Sequence, residues 1–268
     1  MVINHGPKQM RPTKVYQPPF TTRPELRGTF GAIASTHWLA SAAGMAVLER
    51  GGNAFDAAIA AGFVLQIVEP HLNGPGGEVP IILKRAGADA PIVICGQGTY
   101  PAGATLARFA GLGVEQVPGT GLLPAVVPGA FDAWMLLLRD HGTWRLADVL
   151  AYALHYAENG FPVLPRIAAS ILAAKEFFLG EWPTSAAIWC PRGAVPAPGT
   201  FFTSPLIAAT YRRIIAEAES AGPASARRPS ARCAGAATKS PSKARGRSAA
   251  FARSAATAAN SPPLRPRA

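Results

Sequence analysis

The spacing of apolar and polar positions changes along the chain, and each change predicts an element. The small-residue run at residues 28–36, GTFGAIAST, reads as a short strand. HWLASAAGMAVLERGGN then places Leu39, Ala43, Ala46 and Val47 on one face of a helix of about three turns. Gly51 and Gly52 end it, where a left-handed residue carries no Cβ clash. Asn53 is positioned to cap the next helix, with Asp56 near its positive end. That helix, AFDAAIAAGFVLQIV, is apolar nearly all round, which predicts burial on more than one side. VPIILKR and PIVICGQG flank the polar AGADA and predict a β-hairpin. Helical spacing dominates the second half. One helix opens after Pro128 and Gly129 and runs to about Arg139, and a second covers 146–159 and stops at Gly160. A third begins near Pro165, and a fourth has Ser204 as its cap and Pro205 as its first residue.

Near Ser220 the pattern disappears. Residues 220–268 are mostly Ala, Arg, Ser, Pro and Gly, with one aromatic residue and almost no branched aliphatics. Such a segment buries too little apolar surface to offset an ordering entropy of roughly 1–2 kcal/mol per residue, and it reads as disordered. The prolines and scattered charges of residues 1–26 read as an extended arm. The expected organisation is therefore an arm (1–26), a globular portion (27–219) and a basic tail (220–268).

Locating the charge changes its meaning. The formal net charge is +11, but ten of the basic residues lie in the tail, which has no acid. The globular portion is close to neutral, so any nucleic-acid argument rests on the tail alone, and no such partner is expected for the folded part. Two readings of the tail stay open. One is a basic segment that binds phosphates non-specifically; the other is out-of-frame translation of a GC-rich gene. The abrupt switch inside a helical pattern favours the second.

The three cysteines form no C-x-x-C pair, so neither a disulfide framework nor a zinc knuckle is expected. The N-terminal stretch contains no apolar run of the secretory kind, and residues 57–68 are too short to span a bilayer. A soluble, cytoplasmic protein without a membrane partner is the expectation.

The richest local chemistry is in EPHLNGPGGE, residues 69–78. No Gly-Lys pair exists for a P-loop, and the order helix, loop, strand reverses that of a dinucleotide fingerprint. The reading is a structural corner in which Gly74, Gly76 and Gly77 permit positive φ and close backbone approach. His71 lacks a second histidine at helical spacing, and His155 with Glu158 reads as a solvated helix face, so no metal is expected. No G-x-S-x-G elbow supports serine chemistry. Cys95 reads as a small buried side chain, and the five tryptophans read as core.

STHWLASAAGMAVLERGGNAFDAAIAAGFVLQIVEPHLNGPGGEVPIIL resembles the N-terminal signature of the gamma-glutamyltranspeptidase family. VPGAFDAWMLLLRDHGTWRLADVLAYALHYAENGFPV resembles that family's next block. The resemblance spans residues 28–219 and leaves the tail uncovered. It implies an N-terminal-nucleophile hydrolase: an α+β, layered αββα fold, incomplete here and helix-rich in its second half. It also implies amide hydrolysis or acyl transfer of the glutathione-hydrolase class, a small-molecule amide or γ-glutamyl-like substrate, and no cofactor. In the family the attacking threonine is exposed by self-cleavage, and its own α-amine serves as base.

Two departures follow. The family's nucleophile belongs to a Thr-Thr-His-like motif in a downstream half. The expectation is a truncated chain without a catalytic residue of its own, which is either an inactive fragment or one needing a separately encoded small subunit. Thr21 and Thr22, and Ser35 to His37, only echo that motif. Secondly, the family holds the substrate carboxylate with an arginine just after the second hairpin strand. In CGQGTYPAGAT, Gln97 stands in that place. A neutral amide cannot make the bidentate, charge-assisted pair a carboxylate prefers. Gln97 is thus the one candidate substrate-binding residue, and this departure from the family pattern points away from γ-glutamyl specificity to a relative acting on another amide.

Overall fold

The computed structural model describes residues 27–221. The readings of residues 1–26 and of the tail beyond 221 lie outside the described residues. The chain divides into two compact units, residues 1–32 and 33–268. In the first, residues 27–32 form neither helix nor strand.

The second unit is α+β and predominantly helical. Helix α1 (Trp38–Glu49) and helix α2 (Ala54–Val68) form its centre. They approach closely because their facing positions are small: a Cβ added at Gly44 would fall 3.1 Å from the Ala57 carbonyl and 3.4 Å from the Ala61 Cβ. Arg50, Gly51 and Gly52 separate α1 from the next cap, and Gly51 has φ +87°. Asn53 and Asp56 form a reciprocal capping box: the Asn53 side chain accepts from the Asp56 N–H, and the Asp56 carboxylate accepts from the Asn53 N–H. Asp56 is fully buried and also accepts from Thr143 N, Thr143 Oγ1 and Trp144 N, tying α2 to the loop before α5.

Strand β1 (Val79–Leu83) pairs antiparallel with β2 (Ile92–Gly96), Ile81 opposite Ile94. The short helix α3 (Leu106–Gly111) buries none of its residues. Helices α4 (Ala130–His141) and α5 (Leu146–Asn159) pack on α2 through Ala133, Leu137, Leu138, Val149, Leu150 and Ala153, all buried. Gly62 on α2 admits the Trp134 ring; a Cβ there would be 2.6 Å from Cζ2. Gly160, with φ +88°, turns α5 into β3 (Phe161–Pro162). β3 pairs with β4 (Phe201–Phe202) across the excursion made by α6 (Pro165–Glu181) and α7 (Pro183–Trp189). Helix α8 (Pro205–Ser220) closes on α5, with Tyr211 buried and its hydroxyl donating to Gln66 Oε1 at 2.6 Å.

Three expectations are corrected. Residues 28–36 form no strand; the described hairpin strands pair with each other, and Ile33 instead packs its Cδ1 against α1 at Gly44. Cys95 is exposed, because the pleat gives the inward positions of β2 to Ile94 and Gly96. Trp38 and Trp182 are exposed, whereas Trp134, Trp144 and Trp189 pack on the core. Ser204 takes the cap position of α8 and Pro205 its first residue, as expected; Ser204 makes no side-chain cap bond, and its N–H donates to the Ala157 carbonyl at 2.7 Å. Among the described residues, no helix is long and apolar enough to cross a membrane.

Candidate functional site

The loop of residues 69–78 begins where α2 ends. Leu72 and Asn73 return their N–H groups to the Glu69 carbonyl at 3.0 and 3.3 Å, and Gly77 N donates to the Gly74 carbonyl at 3.0 Å. None of Gly74, Gly76 and Gly77 has positive φ, so the expectation of left-handed backbone here is corrected. Close approach holds at Gly77, where a Cβ would lie 3.2 Å from the Gly74 oxygen.

Glu69 itself is fully buried at the C-terminal end of α2, the end whose dipole disfavours an acid. A salt bridge to the Arg166 guanidinium and a hydrogen bond from Thr36 Oγ1 offset that. A buried carboxylate stripped of such partners costs several kcal/mol, about 3–5, so Glu69 binds three segments together: the entry to α1, the end of α2 and the start of α6. His37, beside Thr36, is buried; its Nδ1 accepts from Leu39 N at 3.1 Å, while its Nε2 has no partner among the described residues. Burial, and then the nearby Arg166 charge, hold His37 below the usual histidine range. Burial lowers His71 as well, and among the described residues its Nδ1 is also unpartnered. Both rings are therefore neutral near pH 7. Among the described residues, no three potential ligands come together around a metal. Glu158 is taken by Arg212, at 2.5 and 2.8 Å, so the His155 face is a solvated, ion-paired surface.

The other end of the loop meets the hairpin. The Gly77 carbonyl accepts from Gly129 N at 3.3 Å and Ala130 N at 3.0 Å, two donors at the start of α4. A Cβ at Gly129 would lie 2.5 Å from the Gly96 oxygen and 3.0 Å from the Gln97 carbonyl carbon. A Cβ at Gly98 would lie 1.7 Å from the Val127 oxygen. This seam of backbone against backbone is why glycines recur at the end of β2 and before α4. It fixes the main chain of Gln97 while leaving its side chain exposed, 3.9 Å from Cys95 Sγ. Gln97 and the loop of residues 69–78 are thus joined through Gly77 and Gly129.

Beyond Gln97 the chain makes an excursion, closed at its neck by Val127 N donating to the Thr99 carbonyl at 2.9 Å. Residues of the excursion itself line a hollow of about 820 Å³, among them Tyr100, Phe109, Val114 and Val117. One residue at this seam was not anticipated from sequence. Asp132 lies in the first turn of α4, half-buried, with no hydrogen bond or ion pair among the described residues. Burial raises it to about 6. Its only sequence signal was an acid at a helix start, which is too common to single out.

The arrangement offers a neutral amide donor and acceptor, a carboxylate, and an adjoining concave surface with aromatic walls. It contains no assembled nucleophile and base.

Residues 40–222 match the family model for gamma-glutamyltranspeptidase. The glutathione hydrolase-like YwrD proenzyme of Bacillus subtilis is 36% identical over 195 residues, covering 72% of this chain and 37% of that protein. The oxamate amidohydrolase proenzyme of Klebsiella pneumoniae is 34% identical, covering 70% of this chain and 36% of its own length. The solved structure of LmbA2991HD is 57% identical, with a TM-score of 0.76 over 80% of this chain and 37% of that one. The chain thus spans little more than a third of the length of these relatives. On its folded portion, its matched motifs and its architecture, the chain belongs to the gamma-glutamyltranspeptidase family.

Proposed function

We propose that this chain supplies the large-subunit-like portion of an enzyme that hydrolyses an amide in a small molecule or transfers its acyl group, and that Gln97 contacts the substrate. The activity is that of the family's whole length. The family's remaining length, carrying a threonine nucleophile, completes it. There the threonine oxygen attacks the amide carbonyl, the α-amine takes its proton, and the amine leaves with that proton. Water or a second amine then resolves the ester. The division into arm (1–26), folded portion (27–219) and tail (220–268) belongs to this reading, as does a cytoplasmic location in keeping with the two free thiols among the described residues, Cys95 and Cys190.

The observation that carries the substrate reading is the exposed Gln97 side chain on a main chain locked by Gly98 and Gly129. An amide there hydrogen-bonds a neutral group but leaves a substrate carboxylate without a charged partner. One relative is an oxamate amidohydrolase proenzyme, and oxamate has no γ-glutamyl group, although it does carry a carboxylate.

The test is to co-express the chain with a polypeptide supplying the family's remaining length and to measure amine release from acyl anilides. Anilides without a free carboxylate are expected to react about tenfold faster than the γ-glutamyl anilide, and Gln97→Arg should reverse the order. The chain alone should release no amine. A wild-type preference for the γ-glutamyl anilide would overturn the substrate reading, and turnover by the chain alone would overturn the need for a second portion.

A further inference from the structure

Asp132 differs from an ordinary first-turn acid. Such a residue favours the positive end of its helix and faces water, or it caps the helix. Asp132 does neither: its side chain is half-buried, and among the described residues nothing donates to it. Burial alone raises it, with no neighbouring charge contributing, so it is ionised at pH 7 without a partner.

Its position explains what it faces. Residues three apart on a helix share a face, one turn above the other. Gly129, three residues before Asp132, packs directly against the backbone of Gly96 and Gln97. Ala133 also faces this seam, its Cβ 2.6 Å from where a Cβ on Gly96 would lie. Asp132 therefore rises from the same seam as Gln97, one turn along α4. The amide of Gln97 and the carboxylate of Asp132 come from two elements packed backbone against backbone at Gly96, Gln97 and Gly129.

We infer that Asp132 is a specificity-determining residue of the amide site, selecting substrates that carry an ammonium group where a transpeptidase substrate carries a carboxylate. The inference rests on the reading of Gln97 as substrate-contacting. A partly desolvated carboxylate without a partner attracts a cation more strongly than one in bulk water. The same charge repels a γ-glutamyl carboxylate, so Asp132 would discriminate both by attraction and by exclusion. Gln97 then supplies the neutral contact and Asp132 the charge.

A matched pair of probes tests this: γ-aminobutyramide, with an ammonium, and glutaramate, with a carboxylate in its place. Binding to the full-length chain is followed through the backbone amide resonances of Gly96, Gln97, Gly98, Gly129 and Asp132. Wild-type protein should bind γ-aminobutyramide about tenfold more tightly than glutaramate, and Asp132→Asn should abolish that preference. Wild-type binding of γ-aminobutyramide should weaken as pH falls through about 6, and the variant should show no such dependence. Loss of binding in Asp132→Asn with none in Gln97→Ala keeps the assignment of Asp132 and removes that of Gln97. Equal affinity for the two probes, tighter binding of glutaramate, unchanged binding in Asp132→Asn, or no binding of γ-aminobutyramide would each overturn the inference.

Discussion

Asp56 and Asp132 both lie in the first turn of a helix, and their surroundings give them opposite effects on stability. Asp56 is fully buried but accepts from four donors, so its burial is compensated. Asp132 is half-buried and accepts from none among the described residues. Its folded value near 6 lies above its ordinary 3.8, so between those values the folded state holds a proton that the unfolded state has released. Stability contributed at this position is therefore present at low pH and is lost as pH rises through about 6. Asp132→Asn removes the titration. Because the side chain is partly in water, the gain at pH 7 is expected to be about 1 kcal/mol rather than the full linkage value. Urea unfolding should show that gain at neutral pH and none near pH 4; equal stability of variant and wild type at pH 7 would contradict it. The local half of this chemistry was legible in the sequence, since Asn53 and Asp56 are three residues apart. Thr143, the partner of Asp56 from 87 positions away, was not, because long-range donors leave no spacing to read.

Helices α1 and α2 show what can be read at the scale of elements. Small residues at Ala40, Ala43, Gly44, Ala57, Ala60 and Ala61 let two backbones approach, while Phe63 and Ile59 fill the space below. A Cβ at Gly44 would also fall 2.0 Å from Ile33 Cδ1. Gly44→Val should therefore force the helices apart, costing about 1–3 kcal/mol through overpacking, although valine tolerates a helix better than glycine does. Denaturant unfolding of Gly44→Ala beside Gly44→Val would check this. A loss that grows with side-chain size supports overpacking, and a gain in both variants would show only helix propensity. The helices at 146–159 and from 165 were legible because period and stop signals agree there. The pair β3 and β4 was not, since two-residue strands have no period and their partners lie some forty positions apart. The strand expected at residues 28–36 failed for a related reason: small residues permit extension, but only a partner edge makes a strand. Of the two uses expected for the glycines of residues 74–77, close backbone approach holds at Gly77, where a Cβ would lie 3.2 Å from the Gly74 carbonyl oxygen, whereas positive φ holds at none of Gly74, Gly76 and Gly77.

For the molecule as a whole, the hairpin poses the main question. VPIIL and IVICG are apolar on both faces, the pattern of strands covered on both sides. One face is covered: Ile81 and Ile94 pack into the core beside α4. The opposite face sets Pro80 beside Cys95 and Ile82 beside Val93, and all four are exposed, Ile82 at 76% and Val93 at 66%. Contiguous apolar surface on a sheet is a site of association, and here it belongs to a chain that covers 37% of a relative's length. If the remaining family length forms the second layer, this face is where that layer rests, and the chain on its own should self-associate through it. Ile82→Lys with Val93→Thr places a charge and a hydroxyl on the open face without touching Ile81 or Ile94. Light scattering of the chain alone should then show markedly less aggregate than wild type, with helical content unchanged by circular dichroism. The same pair of substitutions should weaken capture of a co-expressed polypeptide supplying the rest of the family fold. Loss of aggregation with undiminished capture would mean that the open face is sticky but is not the seat of the second layer.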